Sequence, residues 1–144
     1  MPIKSDILII GSGMAGSIAA LTAADEGKHV IIITKTKNLK SGNSPHAQGG
    51  IAYSGIKDSP KKLKEDILKA GAGHCWNPAV DWISTKGPEL VKKILIDKFN
   101  IAFESKSGKG NGLQLTSEAA HTIKRIIYCA DKTGNVVQNT ILQK

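Results

Sequence analysis

The feature that most constrains the fold is a glycine-rich turn between an apolar strand and a helix. Residues 5–10 contain the run ILII, which is typical of a buried parallel strand. Gly11, Gly13 and Gly16 follow in GxGxxG register and lead into a helix-forming segment, and residues 30–33 form a second apolar run. This βαβ pattern predicts a Rossmann-like unit whose helix amides face an anion. It favours nucleotide binding over a purely structural turn.

The end of the second strand departs from the usual dinucleotide pattern. Such units commonly place an Asp or Glu there, which binds a ribose hydroxyl. Here the strand ends at Thr34 and Lys35. The turn alone therefore leaves open which dinucleotide is bound.

Composition argues against several other classes. The chain has 144 residues and a net charge of +8, but Arg125 is its only arginine and aromatic residues make up only 4%. Because base readout favours arginine forks and aromatic stacking, we predict no nucleic-acid partner. No apolar run reaches the ~20 residues of a membrane span, and the start MPIKSDILII is predicted to be a first strand, not a secretory signal.

The cysteines and histidines give no sign of a metal or disulfide framework. Cys75 and Cys129 belong to no CxxC pair, and the four histidines show no ligand spacing. We therefore predict no metal site and a cytoplasmic location.

Beyond the second strand, the pattern changes twice. Residues 36–59 are rich in Gly, Ser and Asn, as in a functional loop or a flexible surface loop. Residues 60–99 are predicted to be helical, with Asn77 as a helix N-cap and the pair Gly87 and Pro88 as a break between two helices.

The last part of the chain is predicted to contain strands. They are expected at residues 101–104, 113–116 and 126–129, with a polar loop, SKSGKGNG, after the first. Periodicity leaves the tail TGNVVQNTILQK ambiguous between helix and strand.

Several blocks together resemble one enzyme family. They are DILIIGSGMAG, ITK, AQGGIA, DILKAGAGHC and HTIKRIIYCADKTG. In this order they are similar to the N-terminal part of the L-aspartate oxidases, within the succinate dehydrogenase and fumarate reductase flavoprotein family. The block AQGGIA marks the broad family, whereas AGAG followed by Cys is similar to L-aspartate oxidases in particular.

The resemblance implies a fold and its subdivision. The fold class is α/β: a partial, truncated Rossmann-like FAD-binding domain of the glutathione-reductase-like or fumarate reductase flavoprotein type. Residues 1–144 would be the N-terminal part of that domain, and the capping and C-terminal helical domains would be absent. Its expected parts are a βαβ unit at 5–35, a flavin loop at 36–59, a helical segment at 60–99 and a substrate-side block with strands at 101–144.

The resemblance also answers the question raised by Lys35. L-aspartate oxidases likewise end this strand with Ser or Thr and Lys, and they bind FAD. Relatives that attach flavin covalently use a histidine where Asn43 stands, so the resemblance implies noncovalent FAD. The implied cofactor-binding residues are Gly11, Ser12, Gly13, Met14, Ala15, Gly16, Lys35, Asn43, Ser44, Pro45, His46, Ala47, Gln48, Gly49 and Gly50.

A second implied group faces the substrate. Glu118 would orient the amino group of L-aspartate, and His121 and Arg125 would suit a dicarboxylate by charge. A helix-capping glutamate and a surface arginine are the alternatives. The family places arginine at Ser117 and a more basic cluster after His121, so weaker binding of a dianion is implied here.

The implied activity is oxidation of L-aspartate to iminoaspartate by hydride transfer to FAD, in de novo NAD biosynthesis. Oxygen or fumarate would reoxidise the flavin, and quinolinate synthase would use the product. The main catalytic groups are expected outside this chain, so it is expected to be a truncated or split piece, inactive unless a second chain supplies the rest. A fumarate reductase or succinate dehydrogenase segment and a non-catalytic nucleotide-binding remnant are the alternatives.

Overall fold

The computed structural model describes residues 2–106, 112–118 and 120–144. The chain divides into two compact units. The first unit contains the residues up to Gln48 together with Lys132–Lys144, and the second unit is Gly49–Asp131. The predicted polar loop SKSGKGNG lies largely outside the described residues.

The first unit contains the predicted βαβ arrangement. Strand β1 is Ile7–Ile10, helix α1 is Met14–Asp25, and strand β2 is Val30–Ile33. The two strands are parallel, with Ile7 opposite Val30 and Ile10 opposite Ile33. Parallel strands joined through a helix require this crossover, so the prediction from the glycine turn is confirmed.

The apolar side chains of β1 are more exposed than those of a parallel strand usually are. Leu8 is 56% exposed and Ile10 is 82% exposed, so the predicted burial of this strand is wrong for the chain as it stands. The reason lies in the sheet itself, which has two strands within the described residues. A parallel sheet buries both faces only when helices cover them.

The ambiguous tail is a helix that belongs to the first unit. Helix α4 spans Thr133–Leu142 and buries Val137 and Ile141. It packs against α1 and against a short 3₁₀ helix at Ser44–His46. Tertiary packing therefore decides a segment whose periodicity fitted either structure.

The second unit contains most of the remaining helix. Helix α2 is Pro60–Gly71, with the Ser59 hydroxyl accepting from the Lys62 amide as an N-cap, and helix α3 is Asn77–Leu90. The helix α3 begins one residue before its predicted start. Its N-cap position is Trp76, which makes no side-chain capping bond, so the predicted Asn77 cap is wrong.

The predicted helix break at Gly87 and Pro88 is also wrong. Helix α3 passes through Pro88 and continues as a π-helical segment at Val91–Lys98. Proline removes one amide donor from the helix but does not end it here. Ser84 and Leu95, on either side of the junction, are both buried, so packing keeps the segment helical.

The strands of the second unit are shorter than predicted. Strands β3 (Ile51–Ala52) and β4 (Ile126–Ile127) form an antiparallel pair. The predicted strands at 101–104 and 113–116 are wrong as regular strands, since isolated bridges replace them, one joining Ser105 to Leu113 and one joining Thr116 to Ile126. Apolar runs predicted extended backbone here, but too few neighbouring residues pair to build a continuous ladder.

Three further observations concern the described residues. No helix among them combines the length and the apolar character needed to cross a lipid bilayer. Among the same residues, no three His, Cys, Asp or Glu side chains are grouped as metal ligands would be. Cys75 and Cys129 are both thiols.

Candidate functional site

A cleft opens at the carboxyl ends of β1 and β2, in the first unit. Its volume is about 640 Å³, which is within the range typical of ligand sites. Ligands of parallel α/β sheets bind at this edge because the loops after the strands converge there. The lining residues are Ile10, Gly11, Ser12, Gly13, Ile33, Thr34, Lys35, Ser41, Gly42 and Asn43.

Two glycines of the turn are required by its geometry. Gly11 has φ +108°, a conformation that residues with a Cβ rarely adopt. A Cβ at Gly16 would lie 2.1 Å from the Gly11 carbonyl oxygen, so α1 can approach β1 this closely only with glycine there. The turn therefore brings Gly13, the N-cap residue of α1, to the lining of the cleft.

Side chains from the following loop hold the turn in place. The Ser12 hydroxyl donates to the Leu39 carbonyl oxygen at 2.8 Å. The Met14 amide donates to the Ser44 hydroxyl at 3.1 Å, which engages one of the amides predicted to contact phosphate. The Ser44 oxygen keeps its own proton, so its hydroxyl is still able to donate to an anion.

The structure brings only some of the predicted cofactor residues into the cleft. Gly11, Ser12, Gly13, Lys35 and Asn43 line it. Sequence reasoning missed Thr34, although it lies in the block ITK, and it missed Ser41 and Gly42, which belong to no motif. The other predicted residues lie elsewhere: Met14, Ala15 and Gly16 in α1; Ser44, Pro45 and His46 in the 3₁₀ helix; Ala47 and Gln48 after it; and Gly49 and Gly50 in the second unit.

The glycine pair Gly49 and Gly50 fits closely against its own unit. A Cβ at Gly49 would lie 2.8 Å from Glu118 Oε1, and one at Gly50 would lie 2.4 Å from the Ile127 carbonyl oxygen. The Gly50 amide donates to Glu118 Oε1 at 3.2 Å. The predicted substrate residue Glu118 is thus held beside β3 by a backbone bond that leaves its second oxygen for another donor.

Arg125 is completely buried, so the surface alternative is wrong. Its Nε and Nη2 donate to the two oxygens of Asp58 at 2.7 and 2.8 Å, and its Nη1 donates to Asp66 at 2.5 Å. The residue is 0% exposed. A guanidinium so enclosed positions its neighbours. Sequence reasoning missed both aspartates: Asp58 belongs to no motif, and Asp66 begins the block DILKAGAGHC without any spacing that indicates a cation partner.

The same guanidinium fixes the state of His121. Arg125 Nη1 lies 2.9 Å from His121 Nδ1, and an arginine can only donate. Nδ1 is therefore the acceptor, and the proton of the neutral ring is on Nε2. Thr122 anchors the adjacent backbone by donating its amide and hydroxyl to Asp66, at 3.0 Å each.

In the Arg125 cluster, which contains Arg125, Asp58, Asp66 and His121, the pKa shifts follow from the ion pairs. The hydrogen bonds from Arg125 lower the pKa of Asp58 below its ordinary value, against the effect of burial. For Asp66, burial is the largest influence and raises the pKa, but the hydrogen bonds from Arg125 and Thr122 together leave it lowered. The pKa of Arg125 is raised, chiefly by its bonds to Asp58. All three groups are therefore charged at neutral pH.

Comparison with known proteins confirms the resemblance drawn from the sequence blocks. The L-aspartate oxidase of Halobacterium salinarum is 36% identical over 139 residues, which cover 96% of this chain and 26% of that protein. The L-aspartate oxidase of Synechocystis is 38% identical over 138 residues, which cover 95% of this chain and 24% of that protein. The chain spans about a quarter of the length of these relatives.

Solved structures show the same fold at lower identity. The Mycobacterium smegmatis Sdh1 complex in the apo form matches with a TM-score of 0.84 at 24% identity, over 96% of this chain and 23% of that one. An E. coli quinol fumarate reductase matches with a TM-score of 0.82 at 23% identity, over 98% of this chain and 24% of that one. The predicted α/β fold class is confirmed. A family model described as an FAD binding domain matches residues 6–144, and the chain belongs to that family.

Proposed function

We propose that this chain carries the dinucleotide-binding part of an L-aspartate oxidase and holds FAD noncovalently. The observation that carries the proposal is the cleft at the strand ends, lined by Gly11–Gly13 and Lys35, in a chain that is 36–38% identical to L-aspartate oxidases along nearly its whole length. Membership of the FAD-binding family supports the cofactor, and the relatives' name supports the substrate.

The residues of the cleft fit such a cofactor. Glycines at the turn leave the space that a side chain would fill, and the amide of Gly13, at the start of α1, is proposed as a donor to a diphosphate. Lys35, which is exposed at the end of β2, adds a positive charge to the cleft. Asn43 lines the cleft and is not a nucleophile that alkylates readily, which supports noncovalent attachment.

The Glu118 and His121 segment is proposed to face the substrate. Glu118 Oε1 already accepts from the Gly50 amide, so Oε2 is assigned to the ammonium group of L-aspartate. His121, with its proton on Nε2, is assigned as a neutral donor to a substrate carboxylate. Arg125 is assigned a positioning role, because its donors are directed to Asp58, Asp66 and His121.

In the whole enzyme, bound FAD would supply the hydride acceptor that converts L-aspartate to iminoaspartate. Oxygen or fumarate as the acceptor, quinolinate synthase as the user of the product, and a cytoplasmic location belong to this proposal. For the 144 residues alone we propose FAD binding without turnover, since the chain spans only about a quarter of its relatives.

A visible spectrum of the purified chain tests the cofactor. We expect flavin absorbance that disappears from the protein after acid precipitation, because the attachment is noncovalent. Gly13→Asp should abolish binding by placing a carboxylate where the diphosphate is expected. Gly87→Asp adds the same charge in α3, where a Cβ has ordinary space, and should bind FAD like the wild type. A wild-type chain that binds neither FAD nor ADP would overturn the proposal and favour a non-catalytic remnant.

The substrate class needs a separate measurement. In an NMR titration of the flavin-loaded chain, L-aspartate should shift the resonances of Glu118 and His121 more than succinate does, because succinate lacks the ammonium group. A larger response to succinate would favour the fumarate reductase or succinate dehydrogenase alternative. Bleaching of the bound flavin by L-aspartate in the absence of oxygen would contradict the proposal that this chain alone does not turn over.

A further inference from the structure

Gln138 in α4, near the C-terminal end of the chain, contacts the glycine turn near its N-terminal end. Its side chain is 0% exposed, and its Nε2 donates to the Ser12 carbonyl oxygen at 2.7 Å. The two residues are 126 positions apart, so this bond depends on the fold of the first unit. No sequence motif assigned a role to this glutamine.

The Ser12 carbonyl oxygen receives a second donor. The Ser17 hydroxyl donates to it at 3.1 Å, and Ser17 is itself buried in α1. In a trans peptide, the carbonyl of one residue and the amide of the next point in opposite directions. Two donors that fix the Ser12 carbonyl therefore also fix the Gly13 amide on the other side of the peptide, and Gly13 lines the cleft.

Packing alone does not explain a glutamine at this position. Within the described residues its Oε1 is buried and accepts no hydrogen bond. A buried acceptor without a partner destabilises a fold, and a methionine of similar volume would avoid that loss. Reversing the amide would place Oε1 against the Ser12 oxygen, so the observed orientation is the one that makes a bond.

The position of α4 relative to the turn is itself fixed. The Gly134 amide donates to the Ala47 carbonyl oxygen at 2.8 Å. A Cβ at Gly134 would lie 2.1 Å from the Ser44 carbonyl oxygen, so the start of α4 lies directly against the 3₁₀ helix. This contact sets where Gln138, one turn further along, reaches Ser12.

We propose that Gln138 is a positioning residue for the diphosphate of FAD. By holding the Ser12 carbonyl, it keeps the Gly13 amide directed at the cleft as a preorganised donor. The inference rests on the proposed function, because it assigns the amide to that cofactor.

Gln138→Met tests the inference, since it removes the donor and keeps the volume. We expect FAD and ADP affinities, measured by fluorescence quenching and calorimetry, to fall about tenfold, the value of a lost hydrogen bond. The midpoint of urea unfolding should be unchanged or higher. The control is Val137→Ala, a buried change in the same helix that should lower the unfolding midpoint and leave FAD affinity unchanged.

The Gly13 amide gives a readout that is independent of cofactor. Its resonance in a proton–nitrogen spectrum should move in Gln138→Met and stay in place in Val137→Ala. Ser17→Ala, which removes the other donor, should shift the same resonance and weaken FAD binding, and it provides a test even if Gln138→Met does not fold.

Three results would overturn the inference. If both Gln138→Met and Ser17→Ala bound FAD with wild-type affinity, the inference would be wrong and the proposed function would still stand. If Val137→Ala and Gln138→Met lost FAD affinity equally, the role of Gln138 would be structural and not positioning. Failure of the wild-type chain to bind FAD or ADP would overturn the proposed function first, and the inference with it.

Discussion

Polar groups are exposed to a cleft at the glycine turn of the first unit. They are buried and paired with one another in the Arg125 cluster of the second unit. At the turn, the backbone of Gly11–Gly13 and the side chain of a lysine border an open cleft. In the cluster, a guanidinium that is 0% exposed is enclosed by two aspartates and a histidine. A region built to bind leaves donors available, whereas a region built to position other groups satisfies its own charges.

The same contrast extends to apolar side chains. In the first unit, Leu8 and Ile10 of β1 are exposed, although α4 buries Val137 and Ile141. In the second unit, Leu63, Val80 and Ile127 are all below 5% exposed and belong to its buried core. Changes in the cluster should therefore appear mainly as lost stability, and changes at the turn mainly as lost affinity.

The largest effect is expected from Arg125→Met. The substitution leaves Asp58 and Asp66 buried without their cation, and breaking a buried pair in this way costs about 3–5 kcal/mol. We expect urea unfolding, followed by circular dichroism, to show a much lower midpoint than the wild type, because such a loss is a large fraction of the total stability of a small domain.

Lys92→Met is the matched control for that change. It removes a lysine whose ion pair with Asp97 is exposed, and exposed ion pairs add little to stability because water screens them. If the two variants lost similar stability, the view of Arg125 as the central structural cation of the second unit would be wrong.

Gly16→Ala should have the next largest effect. The added Cβ would lie 2.1 Å from the Gly11 carbonyl oxygen, so α1 must move away from β1 at a cost of about 1–3 kcal/mol. FAD binding should weaken along with stability, since the displaced helix carries the amides. Gly42→Ala also changes a residue of the cleft but meets no atom within 4 Å, and its unfolding midpoint should stay at the wild-type value.

Acidification should lower stability through the aspartates of the Arg125 cluster and not through the glycine turn. The folded-state pKa values of Asp58 and Asp66 are lowered, so their stabilisation is fully present above the ordinary aspartate pKa of about 3.9 and is lost as pH falls through the lowered values. The unfolding midpoint should therefore be steady from pH 7 to 5 and fall below pH 4. Asp58→Asn should flatten this dependence, and an unchanged pH profile in that variant would contradict the assignment.

Sequence reasoning predicted the turn better than the cluster, for a physical reason. GxGxxG works through local backbone geometry, so spacing along the chain reveals Gly11 and Gly16 directly. Arg125, Asp58 and Asp66 meet only because distant segments of the second unit come together. Two of them lie in the blocks HTIKRIIYCADKTG and DILKAGAGHC, but no spacing along the chain indicates that they pair. The same limit explains why periodicity left α4 ambiguous and why Gln138 passed unnoticed.

The predicted break at Pro88 shows the converse error. A local rule indicated the end of a helix, but packing of buried residues on both sides keeps the segment helical through Leu95. Local rules are therefore most dependable where the local backbone itself performs the function, as at the glycine turn. They are least dependable where contacts between distant segments determine the local structure.

The smallest effect, and the finest test of the contrast, is expected from Lys35→Met. Lys35 is exposed, so its attraction to a cofactor phosphate is weakened by water and should contribute less than about 1 kcal/mol, or roughly fivefold in FAD affinity. The difference between variant and wild type should shrink between 0.02 and about 0.5 M salt, because ions screen exposed charges. Lys4→Met, which removes an equal charge outside the cleft lining, is the control and should leave affinity unchanged. A loss in Lys35→Met that persists undiminished at high salt would mean that the lysine is enclosed when the cofactor binds, and the turn would then resemble the Arg125 cluster more closely than its open geometry indicates.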